Sequence, residues 1–151
     1  MAGASERLYL KALLRSIHSI MATIFTKIVQ GELPCHKIAE TDQYLAFLDI
    51  RPVSEGHTLV IPKLEVDYIF DMEDDLLGGM MVFSKRVAKA LRAAVPCVRI
   101  GVAVIGLEVP HAHIHLIPIN TIHDLSFDKG FLAPSQEELM AVASTIRQHY
   151  V

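Results

Sequence analysis

The apolar positions of the chain fall into two rhythms. In IFTKIVQG, Ile24, Phe25, Ile28 and Val29 recur at helical spacing, Gly31 supplies a stop and Pro34 lies just beyond, so the pattern predicts a short helix. KIAET, and YLAFLDI after Asp42, are apolar runs too short for helices; they predict two strands joined by a tight turn, with Arg51-Pro52 ending the second. HTLVIP, His57 to Pro62, predicts a third strand. Leu76 to Val95 returns to helical spacing, preceded by Glu73, Asp74 and Asp75 and carrying Lys85, Arg86, Lys89 and Arg92 toward its end, the polarity a helix dipole favours. Gly78-Gly79 would weaken its first turns by about 1 kcal/mol per glycine relative to alanine. Val98 to Gly106 and His111 to Ile119 predict a fourth and a fifth strand, and Pro134 followed by Ser135-Gln136-Glu137-Glu138 carries a capping box that opens a C-terminal helix through about His149. Strands, helix, strands, helix, without repeated strand-helix alternation, predict an α+β fold with a mostly antiparallel sheet.

At 151 residues and 52% apolar, the chain can bury one sizeable core, so one domain is expected. That domain is placed at residues 21–151, beginning at Met21, with residues 1–20 an extension or a misplaced start. The segment LYLKALLRSIHSI is amphipathic, but Lys11, Arg15 and His18 interrupt it well short of a membrane span and inside what would be a signal-peptide core. A net charge of -3 and the lack of a dense Lys/Arg run argue against a polymeric nucleic acid or an anionic membrane as partner. Cys35 and Cys97, too few for a disulfide framework and not spaced as C-x-x-C, fit a reducing cytoplasm.

The stretch HAHIHLIPI puts three histidines at alternate positions. On a strand, His111, His113 and His115 share one face, while Ala112, Ile114 and Leu116 anchor the other. Burying such imidazoles without partners would cost on the order of 1–3 kcal/mol per unsatisfied group, so a purely structural role is disfavoured. Neighbouring histidines lie roughly 7 Å apart along a strand and the outer two about 13 Å, while zinc-nitrogen bonds measure about 2 Å, so two imidazoles can converge on one ion but recruiting the third from the same strand is strained. The remaining ligand would have to come from His57, His123 or an acid. Covalent chemistry suits the spacing better: flanking imidazoles can hold the central one in one tautomer and leave a ring nitrogen nucleophilic. By position, His113 is that nucleophile.

At these residues the chain resembles the histidine-triad family, whose signature is three histidines separated by single apolar residues and followed by two more. His111-Ala112-His113-Ile114-His115-Leu116-Ile117 matches it throughout. The family's N-terminal stretch is matched by IFTKIVQGELP, its Asp-apolar-x-Pro segment by Asp49-Ile50-Arg51-Pro52, and its His-x-Leu-Val-Ile-Pro-Lys segment by His57 to Lys63, with Gly56 before it. The resemblance covers about Thr23 to Pro118, in its nucleotide-binding branch.

It implies a five-stranded antiparallel sheet with a long central helix and a C-terminal helix, and a homodimer joined through the long helix and the strand after it. It also implies a nucleotide hydrolase or transferase in which His113 attacks the α-phosphorus of a nucleoside phosphoramidate or dinucleoside polyphosphate, giving a nucleotidyl-histidine that water cleaves. His111, His115 and His57 would orient the nucleophile and contact phosphate. Asp49 would accept from the ribose hydroxyls, and Phe25, Ile28, Phe47, Leu48 and Ile50 would line the base slot. No cofactor and no resident metal are expected. A nucleotide-binding module with little turnover and a metal-dependent enzyme are the competing classes.

The match fails in the stretch before the triad, where the asparagine common in the family also has no counterpart among Ile100 to Ile105. Family members often carry Gly-Gln-Ser/Thr-Val before the triad; this chain has Gly106-Leu107-Glu108-Val109. Leu107 removes an amide donor and Glu108 puts a carboxylate where substrate phosphate is expected. Two unit charges about 5 Å apart repel by roughly 3 kcal/mol at an effective dielectric of 20, so Glu108 either points away or works protonated as an acid, and His113 chemistry is expected to persist with a substrate preference or rate that departs from typical members.

Overall fold

The computed structural model describes residues 22–151; the extension expected at residues 1–20 and the start at Met21 lie outside the described residues. Five strands, β1 (Lys37–Glu40), β2 (Tyr44–Leu48), β3 (Thr58–Pro62), β4 (Arg99–Ala103) and β5 (Ile114–Ile119), form one sheet in the order β1-β2-β3-β5-β4, every neighbouring pair antiparallel. The helices are α1 (Ile24–Val29), α2 (Asp74–Ala94) and α3 (Gln136–Gln148), with short 3-10 turns at Ile69–Asp71 and Ile122–Leu125. This is the expected α+β architecture.

Both faces of the sheet are covered, which is why β2 and β3 are buried at every position, with Thr58 their one polar residue besides the Tyr44 hydroxyl, instead of alternating with polar residues. Along β2, Tyr44, Ala46 and Leu48 face the main core with Met80, Phe83, Val87 and Leu91 of α2 and Leu139, Ala143 and Ile146 of α3. Leu45 and Phe47 face the other way, into a smaller cluster with Leu59, Ile61 and Phe25, against which Ile28 and Val29 pack. Ile24, expected on the apolar side of α1, is instead 48% exposed. No helix among the described residues is long and apolar enough to cross a membrane.

Strand 5 is shorter than its sequence pattern: the ladder begins at Ile114, and His111 to His113 precede it. Pairing with β3 stops at Val60 opposite Ile114, because two residues farther along β3 stands Pro62, which has no N–H to continue the ladder. The Pro62 carbonyl is taken by the His111 ring, and the Ala112 amide donates to Val66 in the loop beyond. Strand 4 likewise ends at Ala103, and the chain then turns through Gly106 at a positive φ of 72°.

The capping box forms in full: the Glu138 amide donates to Ser135 Oγ (3.2 Å) and the Ser135 amide to Glu138 Oε2 (2.7 Å). The fold also gathers Lys85, Lys89, Arg92 and Arg99, dispersed in the sequence, around a groove between α2 and β4.

The two adjacent glycines of α2 are not equivalent. A Cβ on Gly79 would collide with Tyr44 Oη, whose hydroxyl donates to the Leu76 carbonyl at 2.9 Å; a Cβ on Gly78 would meet nothing within 4 Å. Gly79→Ala is therefore expected to destabilise the protein by about 1–3 kcal/mol, and Gly78→Ala to leave stability unchanged or raise it by up to about 1 kcal/mol. Urea unfolding midpoints of the two variants check this; equal midpoints would show that Tyr44 is not what Gly79 accommodates.

Candidate active site

β3 and β5 lie side by side, with Leu59 opposite His115, and this brings His57, just before β3, against the triad. His57 Nε2 stands 2.9 Å from His115 Nδ1. The Val53 amide donates to His57 Nδ1 (3.2 Å), which requires that nitrogen to be unprotonated. A neutral His57 then carries its proton on Nε2 and donates it to His115 Nδ1. His115 is left with its own proton on Nε2.

The same reasoning fixes the other two rings. His113 Nδ1 lies 2.6 Å from the His111 carbonyl, which only accepts, so the proton sits on Nδ1 and Nε2 keeps a bare lone pair. His111 Nε2 donates to the Pro62 carbonyl (2.8 Å) and its Nδ1 accepts from Thr23 Oγ1 (3.0 Å). Thr23 caps α1, its hydroxyl oxygen accepting from the Thr26 amide, and the Thr26 hydroxyl donates to Glu65. Every buried side-chain polar atom among the described residues has a partner. The imidazoles thus fall into two hydrogen-bonded pairs, His57 with His115 and His111 with His113, buried completely at His57 and His111 and nearly so at His113 and His115.

Burial, reinforced by the neighbouring rings His115 and His113, pushes the His57 pKa down to about 3, and burial with His113 pushes His115 down to about 4. His111 is lowered too, mainly by burial, against a smaller opposing pull from the Pro62 carbonyl and Glu65. Burial raises Asp49, the Arg51 amide that donates to its Oδ1 at 2.8 Å works against this, and Glu108 adds a weaker upward push. Asp49 Oδ2 stands 3.8 Å from His57 Nδ1. With His57 neutral and its Nδ1 engaged by Val53, that approach is not an ion pair.

His113 and His115 form the floor of an open cleft of about 360 Å³. Asp49 and Arg51 line one side, Gly106, Leu107 and Glu108 another, and the segment after β5 contributes Phe127, Asp128 and Phe131. His111 and His57 sit behind the floor. Phe25 meets His113 and His111 edge-on at centroid distances of 5.2 and 5.9 Å and touches Phe47 at 5.6 Å, with Ile28 packed beside them. The other two residues assigned to the base slot are placed differently. Leu48 faces the main core on the opposite side of the sheet, and Ile50 is 63% exposed. Leu107 is 89% exposed.

Phe127, Asp128 and Phe131 have no place in the sequence reading. Phe127 packs its ring 5.1 Å from that of His115 and 6.1 Å from that of His57. Phe131 lies under the Arg51 guanidinium at 4.4 Å, and the Leu132 amide donates to the Pro52 carbonyl (2.8 Å), tying this segment to the turn after β2. The signal for it was two phenylalanines four residues apart around Asp128-Lys129-Gly130, in a stretch otherwise read as a connection.

Asp49, His57 and His115 bring potential metal-ligating atoms within 4.8 Å of one another. They fit an ion poorly, since His57 Nδ1 already accepts from Val53 and His57 Nε2 and His115 Nδ1 already share a proton. His123 stands apart, exposed on a 3-10 turn.

A family model described as the HIT domain matches residues 30–122. A Schizosaccharomyces pombe protein named adenosine 5'-monophosphoramidase hnt1 is 41% identical over 128 residues, covering 83% of this chain and 96% of the relative. The Saccharomyces cerevisiae protein named adenosine 5'-monophosphoramidase HNT1 is 41% identical over 98 residues, covering 64% of this chain and 62% of its own length. Among solved structures, a zinc-bound histidine triad family protein from Mycobacterium smegmatis superposes with a TM-score of 0.74 at 29% identity, covering 86% of this chain and 94% of the other.

Between pH 6.5 and about 4 the unfolded chain binds protons at His57 and His115 that the folded site does not, so stability is expected to fall as the pH drops through that window. Urea unfolding at pH 7 and pH 4.5 should show the loss. The ring nitrogens of both residues, followed by NMR, should not titrate above pH 5; a midpoint near 6.5 for either would overturn the neutral, proton-sharing pair.

Proposed function

The chain belongs to the HIT domain family, and on that footing we propose that it is a nucleotide hydrolase acting on nucleoside phosphoramidates through a nucleotidyl-histidine at His113. The observation that carries the proposal is the His113 tautomer: with Nδ1 donating to the His111 carbonyl, the Nε2 lone pair stands at the cleft floor. Nε2 attacks the α-phosphorus, and the phosphorus–nitrogen bond breaks with its electron pair going to the leaving nitrogen, which takes a proton from water in the cleft. The imidazolium so formed keeps its Nδ1 proton against the His111 carbonyl, whose dipole stabilises the charge. The hydroxide left by that proton transfer then attacks phosphorus, the bond to Nε2 breaks with its pair returning to the ring, and a nucleoside monophosphate leaves.

His115, protonated on Nε2, donates to a non-bridging phosphate oxygen, and His57 holds it in that tautomer from behind. Asp49 accepts from the ribose hydroxyls. Phe25, Ile28 and Phe47, with the exposed Ile50 folding over, enclose the base. The phosphoramidase names of the two yeast relatives support this substrate class over dinucleoside polyphosphates.

For assembly, a homodimer through α2 and β4 is the favoured reading. β4 is an edge strand, and it exposes Val102 beside Val98 and Val104 while α2 exposes Met81 and Val82.

His113→Asn is expected to lower turnover of adenosine phosphoramidate by at least about a thousandfold while leaving the unfolding midpoint nearly unchanged. Intact-mass measurement after mixing with substrate should show one nucleotidyl adduct on a slowly turning-over His115→Asn protein and none on the His113→Asn protein. Undiminished turnover in His113→Asn would sink the assignment.

A further inference from the structure

The part of the cleft beyond the reacting phosphorus has a charge and a shape that the nucleotide does not use. With Asp49 assigned to ribose, the remaining charged groups lining it are Glu108, Asp128 and Arg51. Arg51 is committed to the face of Phe131, and Lys129, next to Asp128, turns to Asp124 at 3.5 Å. Among the described residues no cation lies within ion-pair distance of Glu108 or Asp128. Glu108 is close enough to the site for its charge to act on Asp49. Phe127 lines the same cleft as the two carboxylates, with its ring against His115. The lining therefore combines an aromatic ring with two carboxylates that have no ion-pair partner among the described residues.

Resting on the reaction proposed above, we propose that Glu108, Asp128 and Phe127 select the leaving group by charge, admitting an amine that carries a second positive charge and rejecting a polyphosphate. A departing alkylammonium chain would lie along the Phe127 ring with its far cation between the carboxylates, gaining from both the ring face and the two charges. A departing di- or triphosphate would bring several negative charges to the same wall. Glu108, at the position where family members carry a hydroxyl residue, then discriminates among substrates without taking part in the bond making at His113.

The test compares three substrates on the purified full-length protein: the adenosine phosphoramidate of a short diamine, that of a neutral alkylamine of equal length, and a diadenosine polyphosphate. The diamine conjugate should have the highest kcat/KM, by about tenfold over the alkylamine conjugate at low ionic strength, and the ratio should shrink as salt rises past about 0.15 M. Glu108→Gln and Asp128→Asn should each reduce that ratio by about threefold, and Glu108→Lys should turn it below one while raising turnover of the polyphosphate. Both carboxylates are exposed, so these variants should fold; equal unfolding midpoints confirm it. A ratio near one in the unsubstituted protein, or a ratio untouched by all three variants, overturns the charge selection and leaves nucleotidyl transfer at His113 standing. Folded protein that turns over none of the three substrates overturns both.

Discussion

The site depends on one rule of imidazole chemistry: a neutral ring has one donor and one acceptor, and a nitrogen buried away from the cleft must have either one matched, which leaves only Nε2 of His113 and of His115 open. The Val53 amide, donating to His57 Nδ1, therefore decides the proton positions on two residues at once, since His57 must give its proton to His115. The His111 carbonyl decides His113 in the same way. Charges would relieve the rule, because a protonated ring donates from both sides, but burial makes them costly, and His57 and His115 respond with depressed affinities for protons. A backbone amide, which among substitutions only proline removes, and a backbone carbonyl set the tautomers of His57, His115 and His113.

This division explains what was legible in the sequence. The sheet was, because continuous apolar runs such as YLAFL and TLVIP state that both faces are covered, and the C-terminal helix was, because Ser135 and Glu138 spell out a cap that forms atom for atom. The gathering of His57 with the triad was legible only through the resemblance, as no spacing within the chain brings residue 57 to residue 115. The straight run of three histidines on one strand was too simple. Pro62 ends the ladder on the neighbouring strand, so His111 and His113 leave the sheet and His113 folds back on its own chain. An interruption in one strand, caused by a residue in another, is not a local property of either sequence.

The apolar slot shows a similar limit. Phe47 and Leu48 are adjacent and both apolar, and alternation alone places one in the small cluster by Phe25 and the other in the main core. Gly79 illustrates the converse, a residue whose local effect on a helix is unfavourable and whose reason lies across the core in Tyr44. Phe127 and Phe131 were invisible for yet another reason: connections carry no periodicity, and only the closing of residues 126–134 against Arg51 and Pro52 turns them into a wall of the cleft.

That closure has an evolutionary consequence. The segment from Ser126 to Pro134 is fastened by a backbone bond to Pro52 and by the stacking of Arg51 on Phe131, while Asp128, Lys129 and Gly130 at its turn are exposed. The anchors and the exposed turn positions are thus different residues. New side chains at the turn can re-line one end of the cleft without touching the groups that set the proton positions of the imidazoles, which are Val53, the Pro62 and His111 carbonyls and the cap of α1. The architecture keeps the hydrogen bonds of the imidazoles and the exposed turn on separate residues, so substitutions can accumulate at the turn and reshape that end of the cleft while the proton positions behind it stay as they are.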